Sequence, residues 1–96
     1  MKSYLIITNN SENTVEDLLL KVLPIDEEKE QLIIFDNLST DNTVPIIVAT
    51  VGLNFIDEEN YKFYINKKKE KIKDIVEKAK KIAKGKIIRV NKNFKR

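Results

Sequence analysis

The chain has 96 residues, 42% apolar and 34% charged, with two glycines, two prolines, no cysteine and no histidine. That is one domain with one modest core. It leaves no room for disulfides, thiolate chemistry, histidine catalysis or a zinc site with nitrogen or sulfur ligands, so any chemistry must come from carboxylates, lysines and hydroxyls. The net charge of +3 hides a split: residues 1–61 hold three basic and twelve acidic residues, and residues 62–96 hold fifteen basic and three acidic.

In chain order, Tyr4-Leu5-Ile6-Ile7 is a short β-rich apolar run ending in the polar turn Thr8-Asn9-Asn10, which predicts a buried strand. Asn13 followed three places later by Glu16 can serve a helix start. Val15, Leu18, Leu19, Val22 and Leu23 then recur at helical spacing until Pro24, so a helix is expected over about Thr14 to Leu23. Leu32-Ile33-Ile34-Phe35 is a second uninterrupted apolar run, the pattern of a strand covered on both faces in a parallel sheet.

A polar cluster from Asp36 to Thr43 leads into Val44–Gly52. There Pro45 and Gly52 suit a short helix while the β-branched interior suits a strand. Asn54 to Asn66, with Phe55, Ile56, Tyr61, Phe63, Tyr64 and Ile65 around the acidic turn Asp57-Glu58-Glu59, reads as an ordered loop, with Tyr61 to Ile65 open to a short strand. Ile72, Ile75, Val76, Ala79, Ile82 and Ala83 form one apolar helical face with lysines filling the rest; Gly85 is a C-cap candidate, and Lys86–Val90 a last strand. Residues 1–91 are expected to form a single α/β domain and 92–96 a basic tail. The longest nearly apolar stretch, Val44 to Leu53, is far short of the roughly 20 residues of a membrane span, which leads to the expectation of a cytoplasmic protein.

The segment Leu-Ile-Ile-Phe-Asp-Asn-Leu-Ser-Thr-Asp-Asn-Thr, residues 32–43, resembles the second strand of family 2 glycosyltransferases, where an apolar strand leads to an Asp pair, Gly and Ser-Thr-Asp-x-Thr. Residues 6–18 are similar to that family's first strand and turn, and Lys86 to Asn91 to its third strand. The resemblance implies a three-layer α/β/α fold with a small, mainly parallel sheet of about three strands, the Rossmann-like first half of a GT-A nucleotide-diphospho-sugar transferase. It also tips residues 44–51 to helix. Ligands of open parallel sheets bind beyond the carboxyl ends of the strands. There the resemblance makes Asp36 the base-contacting candidate with Thr8 and Asn10 nearby, whereas Ser39 and Asp41 order the turn and cap the next helix.

The sequence departs from the family at Ile7, Asn9, Asn37 and Leu38, where the family has Pro, Tyr, the second Asp and Gly. It also has no Asp-x-Asp, the pair through which the family holds a divalent cation and the sugar diphosphate. A UDP-sugar ligand is therefore implied without a metal held by this chain alone, and without independent catalysis; a partner protein or a second copy would complete the fold.

Two further readings stay open. Asp36 is either a ligand contact or a strand-end carboxylate bonded within its own turn. The lysine-rich helix is either a solvated face or a footprint for an anionic polymer such as RNA, although no Arg-rich or aromatic-interleaved motif supports nucleic-acid reading. The charge split also fits a small interaction or oligomerisation module.

Overall fold

A computed structural model describes every residue except Phe55, so that part of the 54–66 reading lies outside the described residues. The elements run β1 (Lys2–Thr8), α1 (Val15–Leu20), β2 (Glu30–Asp36), α2 (Thr43–Gly52), a 3-10 turn (Glu58–Asn60), β3 (Tyr61–Ile65), α3 (Ile72–Ile82) and β4 (Lys86–Arg89). All four strands are parallel, in the order β3-β2-β1-β4. The sheet therefore has four strands where about three are expected from sequence. The added one is β3, whose aromatic-rich, half-exposed sequence lacks the continuous apolar run that marks a central strand.

Side chains alternate across the strands, and each face builds its own core. Tyr4, Ile6, Leu32 and Ile34 point to one side and pack with Val15 and Leu19 of α1 and Ile47 and Val51 of α2. Leu5, Ile33 and Phe35 point to the other and pack with Ile75 and Ala79 of α3. This three-layer arrangement follows from the crossover rule. With one hand of βαβ connection, the two steps β1 to β2 to β3 place their helices on one face, and the reversed step from β3 to β4 places α3 on the other. The reversal leaves a topological switch point between β1 and β4.

Local expectations are corrected at α1 and at Gly85, and the helix expected over residues 44–51 is present. Helix α1 ends at Leu20 rather than Leu23, and its N-cap is Thr14, with no side-chain bond from Asn13 or Glu16. Residues 43–52 are helical despite their β-branched interior. Pro45 sits in the first turn, where its missing N–H costs nothing, and β2 and β3, being parallel, need a crossover between them. Gly85 does not cap α3, whose C-cap is Ala83, and its φ is not positive. Glycine is required there by close approach, because a Cβ at position 85 would stand 2.0 Å from the Met1 carbonyl oxygen.

Residues 91–96 fold back on the sheet's amino end. Phe94 packs edge-on against Tyr4 at 5.7 Å between centroids, and Arg96 ion-pairs with Glu30 and donates to the carbonyl of Pro24 at 3.1 Å. Lys21 Nζ donates to the carbonyls of Lys92 and Phe94 at 2.9 and 3.2 Å. Among the described residues, no helix is long and apolar enough to cross a membrane.

Candidate functional site

The loops after β1 and β2 meet beyond the carboxyl ends of the two central strands, and short polar side chains stitch them together. The ladder itself continues one step past the strand end, where the Asn37 N–H donates to the Thr8 carbonyl at 2.7 Å. Above it the Thr8 hydroxyl donates to Asp36 Oδ1 at 2.7 Å, and the Asn9 amide donates to the Asn37 carbonyl at 2.6 Å. The Asn10 N–H donates to Ser39 Oγ at 2.8 Å, while Asn10 Oδ1 accepts from the Thr40 N–H at 2.7 Å. Further out, the Ser11 N–H donates to Thr43 Oγ1 at 2.7 Å and the Glu12 N–H to Asp41 Oδ2 at 3.2 Å.

The five residues singled out from sequence thus converge, but at different depths. Asp36 is fully buried, and besides Thr8 it accepts from the Ser39 hydroxyl at 2.6 Å and the Ser39 N–H at 2.9 Å. Both its oxygens are engaged within the crown, so it acts first as the pin of the β2 turn. Thr8 is buried beside it, and Asn10 lies exposed above. Asp41 receives the Thr43 N–H at 2.9 Å at the start of α2. Burial by itself would raise its pKa, but the Thr43 hydroxyl and the Thr43 and Glu12 amides outweigh that and hold it below the ordinary 3.8.

Two residues without an assigned role, Asn37 and Leu38, shape the same edge. Asn37, in the place of the family's second Asp, uses both ends of its amide. Nδ2 donates to the Glu70 carbonyl at 2.9 Å, and Oδ1 accepts from the Glu70 N–H at 2.9 Å and from Asn66 Nδ2 at 3.1 Å. It locks the β3–α3 loop to the crown, a task that needs a donor and an acceptor in one side chain. Leu38 and Asn10 both adopt positive φ, 59° and 49°. For Leu38 the sequence held a hint, since it stands where the motif that the segment resembles has glycine, the residue that takes a left-handed backbone most readily.

On the α3 side, Phe35 and Tyr64 stack at 5.0 Å, and a cavity of about 690 Å³ opens over them, edged by Lys67, Lys68, Lys78 and Lys81. The lysine face of α3 is partly neutralised, Lys78 by Glu70 of the preceding loop at 2.5 Å and Lys80 by Glu77 at 3.3 Å.

No protein-family model and no curated protein matches this chain. A solved structure does. The mannosyltransferase PcManGT from Pyrobaculum calidifontis, in complex with GDP-Man and Mn2+, is similar with a TM-score of 0.73 at 16% identity, over 88% of this chain and 24% of that one. The likeness is one of fold: the chain has the architecture of a glycosyltransferase fragment and spans about a quarter of that protein's length.

Among the described residues no group of three or more carboxylates converges so as to hold a metal ion, and the residues present do not by themselves fit a divalent cation.

Proposed function

We propose that this chain is a nucleotide-sugar recognition half-domain of the family 2, GT-A glycosyltransferase kind, without independent catalysis. The observation that carries the reading is the coincidence of two things. The parallel β3-β2-β1-β4 sheet matches a sugar-nucleotide-dependent transferase over nearly its whole length, and the candidate residues Thr8, Asn10 and Asp36 meet at the carboxyl edge, where such sheets take ligands.

In this reading the roles divide by depth. Asn10, on the exposed rim, contacts the nucleotide; Thr8 and Asp36 are positioning residues that hold the two loops at their spacing; Ser39 and Asp41 order the turn and the start of α2. The ligand is a nucleoside diphosphate sugar, with uridine and guanosine as the bases to be tried. A leaving diphosphate needs concentrated positive charge in the transition state, and among the described residues no group of three or more carboxylates converges to hold a cation for it.

Thermal denaturation with UDP-glucose and GDP-mannose tests the proposal. Ligand that binds only the folded state at a hundred times its Kd stabilises by about 2.7 kcal/mol, an upward shift of roughly 10–20 °C for a domain of this size. Asn10→Ala should abolish the shift, and because it also removes the acceptor of the Thr40 N–H and places alanine at φ 49°, the shift is read against that variant's own lowered unliganded transition. No shift with either sugar nucleotide at millimolar concentration contradicts the reading.

A further inference from the structure

β3 is an open edge of the sheet, with Tyr61 and Phe63 on its α2 face and Tyr64 beside Lys62 on its α3 face. On the α2 side a cavity of about 320 Å³ lies open beside Tyr61 and Phe63, with Val48 and Ile56 in its wall; on the α3 side the larger cavity lies over Phe35 and Tyr64. Around them Ile65 is 55% exposed, Val48 58% and Leu53 79%. The opposite edge, β4, carries Lys86 and Arg89 at its ends, the charges with which a sheet edge avoids pairing.

The backbone of β3 is set for pairing in one register. Consecutive residues of a parallel strand direct their N–H and C=O groups to alternate sides. The Asn66 N–H bonds the Asp36 carbonyl at 2.9 Å, so the even-numbered residues face β2 while Tyr61, Phe63 and Ile65 face the open edge. The flanks of the strand are oppositely charged. Asp57, Glu58 and Glu59 precede it, Lys67, Lys68 and Lys69 follow it, all six are exposed, and among the described residues none of them forms an ion pair within the chain.

We propose that two copies of this chain associate through β3, antiparallel about a two-fold axis at Phe63, into one continuous sheet. In that register Phe63 meets its own copy and Tyr61 meets Ile65 of the second copy, both as hydrogen-bonded pairs of outward-facing residues. Lys62 falls opposite Tyr64, placing its ammonium beside a ring instead of beside another lysine. The acidic turn Asp57-Glu58-Glu59 of each copy then lies beside Lys67, Lys68 and Lys69 of the other, acid against base at both ends, so charge selects the antiparallel orientation as well as the partner.

The test is sedimentation equilibrium of the whole chain with residue-resolved amide exchange. At low salt the mass should rise with concentration from 11.2 kDa to twice that, and the Tyr61, Phe63 and Ile65 amides should become protected as it does. Ile65→Pro removes an amide that faces only the edge, so it should leave a folded monomer. Lys67→Glu/Lys68→Glu/Lys69→Glu and Asp57→Lys/Glu58→Lys/Glu59→Lys should each be monomeric alone and form a one-to-one dimer when mixed, an outcome that misfolding cannot imitate. Ile65→Pro in both should abolish that mixed dimer. A chain that stays monomeric at millimolar concentration, a dimer indifferent to Ile65→Pro, or edge amides that exchange equally fast at every concentration overturns the proposal.

Discussion

Leu38 carries a branched side chain at φ 59°, a conformation that costs an L-residue about 1–2 kcal/mol relative to the right-handed region. Its side chain is 39% exposed and contributes little packing in return. Leu38→Gly should therefore raise the urea midpoint, by roughly 1 kcal/mol of stability once the greater freedom of unfolded glycine is deducted. Asn37 behaves oppositely. Asn37→Asp gives the turn the acidic pair of the motif it resembles but sets a carboxylate oxygen against the Glu70 carbonyl, and leaving that part-buried acceptor without its donor should destabilise by about 1–3 kcal/mol. The two departures from the motif are thus of different kinds: one is a tolerated strain, the other a working replacement. The motif placed both in one turn, but only the loop arriving 33 residues later explains why an amide stands at 37.

Among the elements, those with continuous apolar runs or a full helical period are legible in the amino-acid sequence alone. β1 and β2 are buried on both sides, and α3 alternates an apolar stripe with lysines. The rest depend on partners distant in sequence. β3 becomes a strand because β2 offers it a free side, not because its own pattern demands one. Gly85, which by position suggests a helix cap, is instead where the chain re-enters the sheet against Met1. Gly85→Ala should accordingly cost about 1–3 kcal/mol by overpacking against backbone that has no room to give, whereas Gly52→Ala, with open space around it, should cost nothing and favour the last turn of α2. Paired urea titrations of the two variants check this. In α3, Ile75 is fully buried under the sheet, and Ile75→Ala should remove about 2–5 kcal/mol in the same assay.

At the scale of the whole molecule, the amino end of the sheet is closed by groups from three parts of the chain. Tyr4 donates to Glu30 at 2.5 Å, the Asp26 N–H donates to it at 2.8 Å, and Arg96 pairs with it and sits 5.7 Å over the Tyr4 ring. Burial would raise the Glu30 pKa, but the Asp26 amide, the Tyr4 hydroxyl and the Arg96 charge together hold it below the ordinary 4.5. The unfolded chain then binds a proton on Glu30 that the folded chain refuses. Its stabilisation is complete above about pH 4.5 and is lost as pH falls through the depressed folded value, and Asp41 adds to the same acid limb. Glu30→Gln should lower stability at pH 7 and flatten the decline below pH 4.5, read as urea midpoints across pH 3 to 7. None of this contact is visible in the sequence, because Glu30 and Arg96 are 66 positions apart and pair across a fold neither of them specifies.

The opposite end of the sheet holds the crown of Thr8, Asn10, Asp36, Ser39 and Asp41, and the function of the chain rests on whether that crown takes a nucleotide. A two-dimensional amide NMR titration with UDP, UDP-glucose, GDP and GDP-mannose, each with and without magnesium, answers this at the residues concerned. Saturable shifts centred on residues 8–10 and 36–41, the same with or without the metal, are the result expected of a recognition half-domain whose own residues do not hold a cation. Spectra that stay still at those positions under every nucleotide would contradict it, leaving the glycosyltransferase fold without its ligand.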